Sequence, residues 1–227
     1  MIDVHAGLSL ITKLDALAAG LFLLAAFGLV AMRQVLASLN IFIVQSVLLA
    51  ISASLLATLY GSVHLAGVAA ITLATKAILI PWLLRRATGR EIYARREISQ
   101  ALNIPTSLLI ALGLAILAYF VASPLLTATA DPIIKANLPI GIAGLLLGSY
   151  VVIVRREAVP QVIGILSMEN GAFLAGVAIA PNLPLIAELA AAFDVLVIAL
   201  VMGLLARRIH KRIGTTAVGW LASLKED

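Results

Sequence analysis

Apolar runs of about twenty residues recur from one end of this chain to the other, and the longest polar connection between them, Arg85 to Asn103, is too short to bury a core of its own. In hydrocarbon every backbone N–H and C=O must find its partner inside the protein, so runs of this kind fold as helices packed side by side. The 227 residues are 63% hydrophobic and 12% charged, with a mean hydropathy of +1.13, against about 25% charged residues in soluble domains. The expected fold class is therefore an all-α integral membrane protein, a single transmembrane domain over residues 1–227 with no stretch long enough for a separate soluble core.

Seven spans are predicted, at 14–32, 36–59, 63–84, 106–125, 137–154, 159–180 and 185–206. Lys and Arg in alternate connections divide thirteen against two. The rich side holds Arg33, the Arg85–Arg96 connection, Arg155 and Arg156, and the C-terminal cluster; the poor side holds Lys13 and Lys135. By the positive-inside rule the N-terminus lies outside and the C-terminus in the cytoplasm, as in a multi-pass protein of a bacterial or archaeal inner membrane. The net charge of +5 is thus a topology signal, and nucleic acid is not an expected partner. The first run follows Asp3, His5, Lys13 and Asp15; without a basic leader, and longer than a signal-peptide core, it is expected to stay as a membrane helix. The chain has no cysteine, which excludes disulfides, thiolate metal sites and iron–sulfur ligation within it.

Against this background the buried ionisable residues stand out. Glu169 lies near the centre of the run Gln161–Gly176, where a charge costs about 2.5–3.5 kcal/mol on insertion scales. Such a group persists where it has a partner, a water-filled cavity or a task. At a rise of about 1.5 Å per residue, Glu169, Asp194 and Lys76 all fall near the middle of a core about 30 Å thick. One reading is an ion pair that only locks helix register. The other is a proton-transfer axis, because two acids facing one base leave a carboxylate that burial disposes to exchange protons. Glu188 and His64, close to the outer edge, are secondary candidates for the mouth of such a route, or are shallow residues that simply reach water. Pro81 is expected to disturb the backbone beside Lys76 by depriving the carbonyl of Ala77 of its donor. Gly144 and Gly148 form a small-xxx-small pair suited to close helix contact. The link Ala180–Pro184 makes the last two spans neighbours. No phosphate loop, Ser-His-Asp set or grouped His residues suggest covalent chemistry, and no catalytic residue is assigned.

Three segments carry a resemblance: Thr75-Lys76-Ala77-Ile78-Leu79-Ile80-Pro81, Leu166-Ser167-Met168-Glu169-Asn170-Gly171, and Asp194 running into Leu204-Leu205-Ala206-Arg207-Arg208-Ile209 and the tail Leu221–Lys225. With these the chain resembles hydrogenase-4 component E, a membrane subunit of formate-hydrogenlyase-type group 4 [NiFe] hydrogenase complexes. Its portion 137–206 is more distantly similar to the three-helix K subunit of complex I and the C subunit of Mrp antiporters. Those families carry Ile-Gly-Leu-Glu where this chain has Ile163-Gly164-Ile165-Leu166, so Glu169 stands one turn later on about the same helix face. The resemblance implies a non-redox subunit with no cofactor of its own, the NiFe and iron–sulfur centres being held by soluble partner subunits. Antiporter-like membrane subunits and the lipid bilayer are its other expected neighbours. Two alternatives stay open: a scaffold subunit whose buried charges only pair, and a subunit of a cation/proton antiporter complex.

Overall fold

Short polar links set each hairpin of the chain. The computed structural model describes residues 2–88 and 102–180, and all the regular elements among them are helices. Helix α1 spans Ile2–Ala31 and α2 spans Val35–Tyr60. Gly61 then takes the left-handed conformation at φ 62°, which glycine adopts without a Cβ clash, and so closes the end of α2. Ser62 caps α3 (Val63–Thr72) by accepting a hydrogen bond from the Leu65 amide. The same rod continues through a π segment, Leu73–Leu79, into α4 (Ile80–Thr88). Asn103 caps α5 (Ile104–Ala128), whose first turn holds Pro105. Asp131 caps α6 (Pro132–Val154) in the same manner, with Pro132 at its first position, where a missing N–H is harmless. Helix α7 spans Ala158–Ile179.

Six of these rods are long and apolar enough to cross a membrane: Ser9–Ala31, Val35–Tyr60, Val63–Arg85, Ile104–Ala128, Pro132–Val154 and Val159–Ile179. They correspond to the first six predicted spans with three adjustments. The first starts at Ser9 rather than at 14, the fourth runs past 125 to Ala128 with Pro124 inside α5, and the fifth starts earlier because Asp131 and Pro132 nucleate it. The seventh predicted span at 185–206, with Glu188 and Asp194, lies outside the described residues, as does most of the Arg85–Asn103 connection.

Helices α6 and α7 form the most intimate pair. Gly141, Gly144 and Gly148 of α6 lie against Ala175, Gly171 and Met168 of α7, and Gly164 of α7 lies against Val152; a Cβ on Gly148 or Gly171 would run into the backbone of the facing helix. The predicted Gly144/Gly148 pair is thus part of a longer glycine seam that lets the two backbones touch. Helices α1 and α2 pack against this pair, and α2 also contacts α3, the π segment and α7.

The core is split into two apolar clusters. One gathers Leu39, Phe42, Ile80, Leu84, Ile163 and Leu166; the other gathers Leu49, Leu56, Leu65, Ala69, Phe173 and Val177. On α2, on the α3–α4 rod and on α7, the residues between the two sets are polar and buried: Gln45 and Ser46, Thr72 and Lys76, Ser167, Glu169 and Asn170. A polar layer therefore crosses the middle of the bundle between two apolar ones.

Candidate functional site

Lys76 sits in the π segment, where the Ile80 amide donates to the Thr75 carbonyl five residues back. The backbone disturbance expected at a single carbonyl is in fact a widened turn. The ring of Pro81 would clash with the carbonyl of Ala77 in a continuous α-helix, and opening the coil to a five-residue repeat moves that carbonyl aside. π insertions are frequent at functional sites because they redirect side chains that an α-helix would point elsewhere. Here the redirected side chain is a lysine, 1% exposed.

Its ammonium nitrogen Nζ lies 2.7 Å from Oε1 of Glu169 and donates to Oδ1 of Asn170 at 3.0 Å. Asn170 in turn donates through Nδ2 to Oγ of Ser46 on α2 at 3.2 Å. Three rods, α2, the α3–α4 rod and α7, thus meet in one network at the midpoint of Val159–Ile179. Glu169 is 8% exposed and Asn170 fully buried. Removing one partner of such a pair leaves a buried charge and costs about 3–5 kcal/mol, whereas the intact pair adds little net stability over apolar packing. The arrangement is therefore poorly explained as a device for holding the bundle together. It is well suited to hold a proton that moves between an amine and a carboxylate in direct contact.

Of the residues singled out in the sequence, the structure brings together Lys76 and Glu169. His64 is exposed at the start of α3, and Asp194 and Glu188 fall outside the described residues. Leu166, where the K-subunit pattern has its glutamate, is fully buried in the apolar cluster one turn below Glu169.

Three features escaped sequence reasoning. Asn170 and Ser46 complete the central network but carry no charge to flag them. Asp15, which reads as a flanking charge ahead of the first run, is 1% exposed inside the bundle. It accepts hydrogen bonds from Ser52 Oγ of α2 and, at 2.8 Å, from Asn137 Nδ2 of α6. Arg155, counted as a topology charge, is buried at the α6–α7 link, where its guanidinium donates to the carbonyls of Leu29, Val30 and Met32 at the end of α1. Burial pushes its pKa down to about 10, which leaves it charged at neutral pH. No group of three or more His, Cys, Asp or Glu residues comes together among the described residues.

Fold and site together define a multi-pass helical membrane protein with a lysine–glutamate pair in a central polar layer. No family model matches the chain, and no solved structure matches it. It is 34% identical over 154 residues to the uncharacterized protein Rv0085 of Mycobacterium tuberculosis, covering 68% of this chain and 70% of that one. It is 29% identical over 215 residues to hydrogenase-4 component E of Escherichia coli and of Shigella flexneri, covering 91% of this chain and 95% of those proteins. The likeness to hydrogenase-4 component E, which runs along nearly the whole chain, supports that family.

Proposed function

We propose that this protein is a non-redox membrane subunit of a complex I-related [NiFe] hydrogenase, and that Lys76 and Glu169 form part of a buried axis through which protons move. The observation that carries the proposal is the direct Lys76–Glu169 contact at mid-depth, read with likeness to hydrogenase-4 component E along nearly the whole chain. Asp194 is assigned to the same axis from its depth in the seventh span, with the N-terminus outside and the C-terminus in the cytoplasm. Soluble hydrogenase and iron–sulfur subunits would dock on the cytoplasmic side and hold the metal centres, with antiporter-like subunits alongside in the membrane.

The chemistry asks little of the protein beyond placement. Lys76 protonated beside ionised Glu169 and neutral lysine beside the neutral acid differ by one proton shifted across a 2.7 Å contact. Asn170 can support either state, since its Oδ1 accepts from the ammonium and its amide is anchored on Ser46.

Replacing Glu169 by Gln keeps an oxygen acceptor for Lys76, which as the neutral amine leaves no buried charge behind, but removes the exchangeable carboxyl proton. The variant complex should assemble and reduce a soluble dye with hydrogen at the normal rate, while hydrogen-driven proton movement across vesicles falls severalfold. If coupling is unchanged, the proton role is wrong. The scaffold alternative predicts a different outcome: Glu169→Gln would impair assembly, and pairing it with Lys76→Met would restore it.

A further inference from the structure

Asp15 is a second membrane-embedded carboxylate, and its surroundings differ from those of Glu169. It lies in the second turn of the span Ser9–Ala31. Its two oxygens are met by a hydroxyl, Ser52, and an amide, Asn137, both neutral and both buried. Among the described residues no Lys, Arg or His makes an ion pair with it; Lys13 on its own helix and Lys135 on α6 are exposed. On the helices packed against α1, the other titratable groups toward this end are Tyr60 at the end of α2 and Asp131 at the start of α6, with Tyr60 in electrostatic range of both acids; Tyr150 lies near the opposite end of α6 and Tyr119 of α5 is exposed. Helix α5 carries no charged residue. An ionised carboxylate so placed lacks a counter-charge and is costly in hydrocarbon. A proton removes that cost.

Both partners can serve either protonation state. Ser52 and Asn137 donate to the ionised form; the hydroxyl can instead accept, and a rotated Asn137 amide would offer its oxygen to the acid proton. That oxygen, Oδ1, is buried beside Asp15 and has no hydrogen-bond partner among the described residues. A metal cation would need a cage of oxygen lone pairs, whereas here O–H and N–H donors are turned toward the carboxylate.

Gln45 supplies a path inward. It lies on the face of α2 that bears Ser52, two turns away, or about 10 Å, and next to Ser46, which is anchored to Asn170 in the central network. It is 1% exposed, yet neither amide atom has a protein partner among the described residues. A buried primary amide left unsatisfied is costly, so its place between two polar clusters suits hydrogen bonding to water.

We propose that Asp15, held by Ser52 and Asn137, is a second proton-exchange site near the N-terminal end of the Ser9–Ala31 span, joined to Lys76–Glu169 by a hydrated file that passes Gln45. This inference rests on the proton reading of the central pair and adds its outer station. The test is infrared difference spectroscopy of the intact complex in lipid, stepped through pH in light and heavy water. Asp15→Asn should delete one pH-dependent protonated-carboxyl C=O band that Glu169→Gln leaves in place. Gln45→Leu should keep that band but slow its deuterium shift severalfold. Should Asp15→Asn fail to assemble, Asn137→Leu must shift the same band in frequency. The site is overturned if no pH-dependent band depends on Asp15 or Asn137, or if the band follows sodium at fixed pH. The link to the centre is overturned if Gln45→Leu leaves the exchange rate unchanged. The two readings fail separately: an Asp15 band with normal coupling in Glu169→Gln sinks the central role alone, and uncoupling by Glu169→Gln with no Asp15 band sinks this site alone.

Discussion

Arg155 shows how one residue can be misread when only its charge is counted. A helix leaves its last four carbonyls without intrahelical donors, and the guanidinium of Arg155 reaches three backbone oxygens at the end of α1 from the end of the adjacent helix α6. Hydrogen bonds to a charged group are worth about 1.5–3 kcal/mol, so Arg155→Met should lower the thermal unfolding midpoint of the detergent-purified protein clearly. Arg155→Lys should recover only part, because its ammonium stops short of the single Nη2 position that makes all three contacts. Arg156→Met, at an exposed neighbour, should do little; equal losses at both positions would refute the capping role. The sign of any pH effect follows from burial, which lowers the Arg155 pKa to about 10. Folded and unfolded chains both keep the proton at neutral pH, and only above about 10 does the folded state release it first, so stability from this group is flat near neutrality and rises only in alkali. The central pair was more legible in the sequence because depth along a helix can be counted from either end of an apolar run. Lys76 and Glu169 share a layer by that count alone. Asp15 was not legible for the converse reason: a carboxylate near the start of a run looks the same whether it faces headgroups or the bundle interior, and only the placement of Ser52 and Asn137 tells the two apart.

Among the elements, α6 and α7 are fitted to each other by backbone contact, so their seam is where side-chain volume matters most. Gly148→Ala would press a Cβ onto Met168, and Gly171→Ala would press one onto Leu145 and Gly144, in both cases against backbone that cannot swing aside. Overpacking of this kind costs about 1–3 kcal/mol. At Gly113 of α5 an added Cβ would meet nothing within 4 Å, so Gly113→Ala should be neutral or stabilise by about 0.5–1 kcal/mol through helix propensity. Thermal unfolding of the three variants in one detergent checks the contrast; a seam variant as stable as Gly113→Ala would sink the close-packing account. The existence of the first six spans was readable because hydropathy over a membrane's thickness is a coarse, strong signal. Their ends were less so: caps such as Asp131 act one residue at a time, and helix α5 continues past Pro124. The π segment was legible only as a proline-induced disturbance, since its extent depends on how the helix relieves the clash and not on any residue type within Leu73–Leu79.

At the scale of the whole molecule, the proton reading needs a direction, and direction depends on which face of the bundle meets the cytoplasm. The charge asymmetry argues that the links at 32–34 and 155–157 are cytoplasmic and those at 61–62 and 129–131 external. That assignment survives the loss of Arg155 to capping, because twelve basic residues still oppose two. It would place Asp15, near the N-terminal end of the Ser9–Ala31 span, on the external side of the Lys76–Glu169 layer, so that a proton travelling the Gln45 route passes the level of the apolar cluster around Leu49 and Phe173. The absence of cysteine from the chain makes the topology directly measurable with single introduced thiols and a membrane-impermeant reagent. Val63→Cys and Lys135→Cys, both at exposed positions, should label in intact cells; Gln34→Cys and Arg156→Cys should label only after the membrane is opened. Asp3→Cys reporting outside together with Lys225→Cys reporting inside requires an odd number of crossings, which the six described spans satisfy only if the 185–206 run makes the seventh. Labelling of both terminal thiols from the same side would remove that span, and with it the mid-depth position assigned to Asp194. Inverted labelling of the four link positions would keep the Asp15 site but turn it into the cytoplasmic station, reversing the order in which a proton meets the two carboxylates.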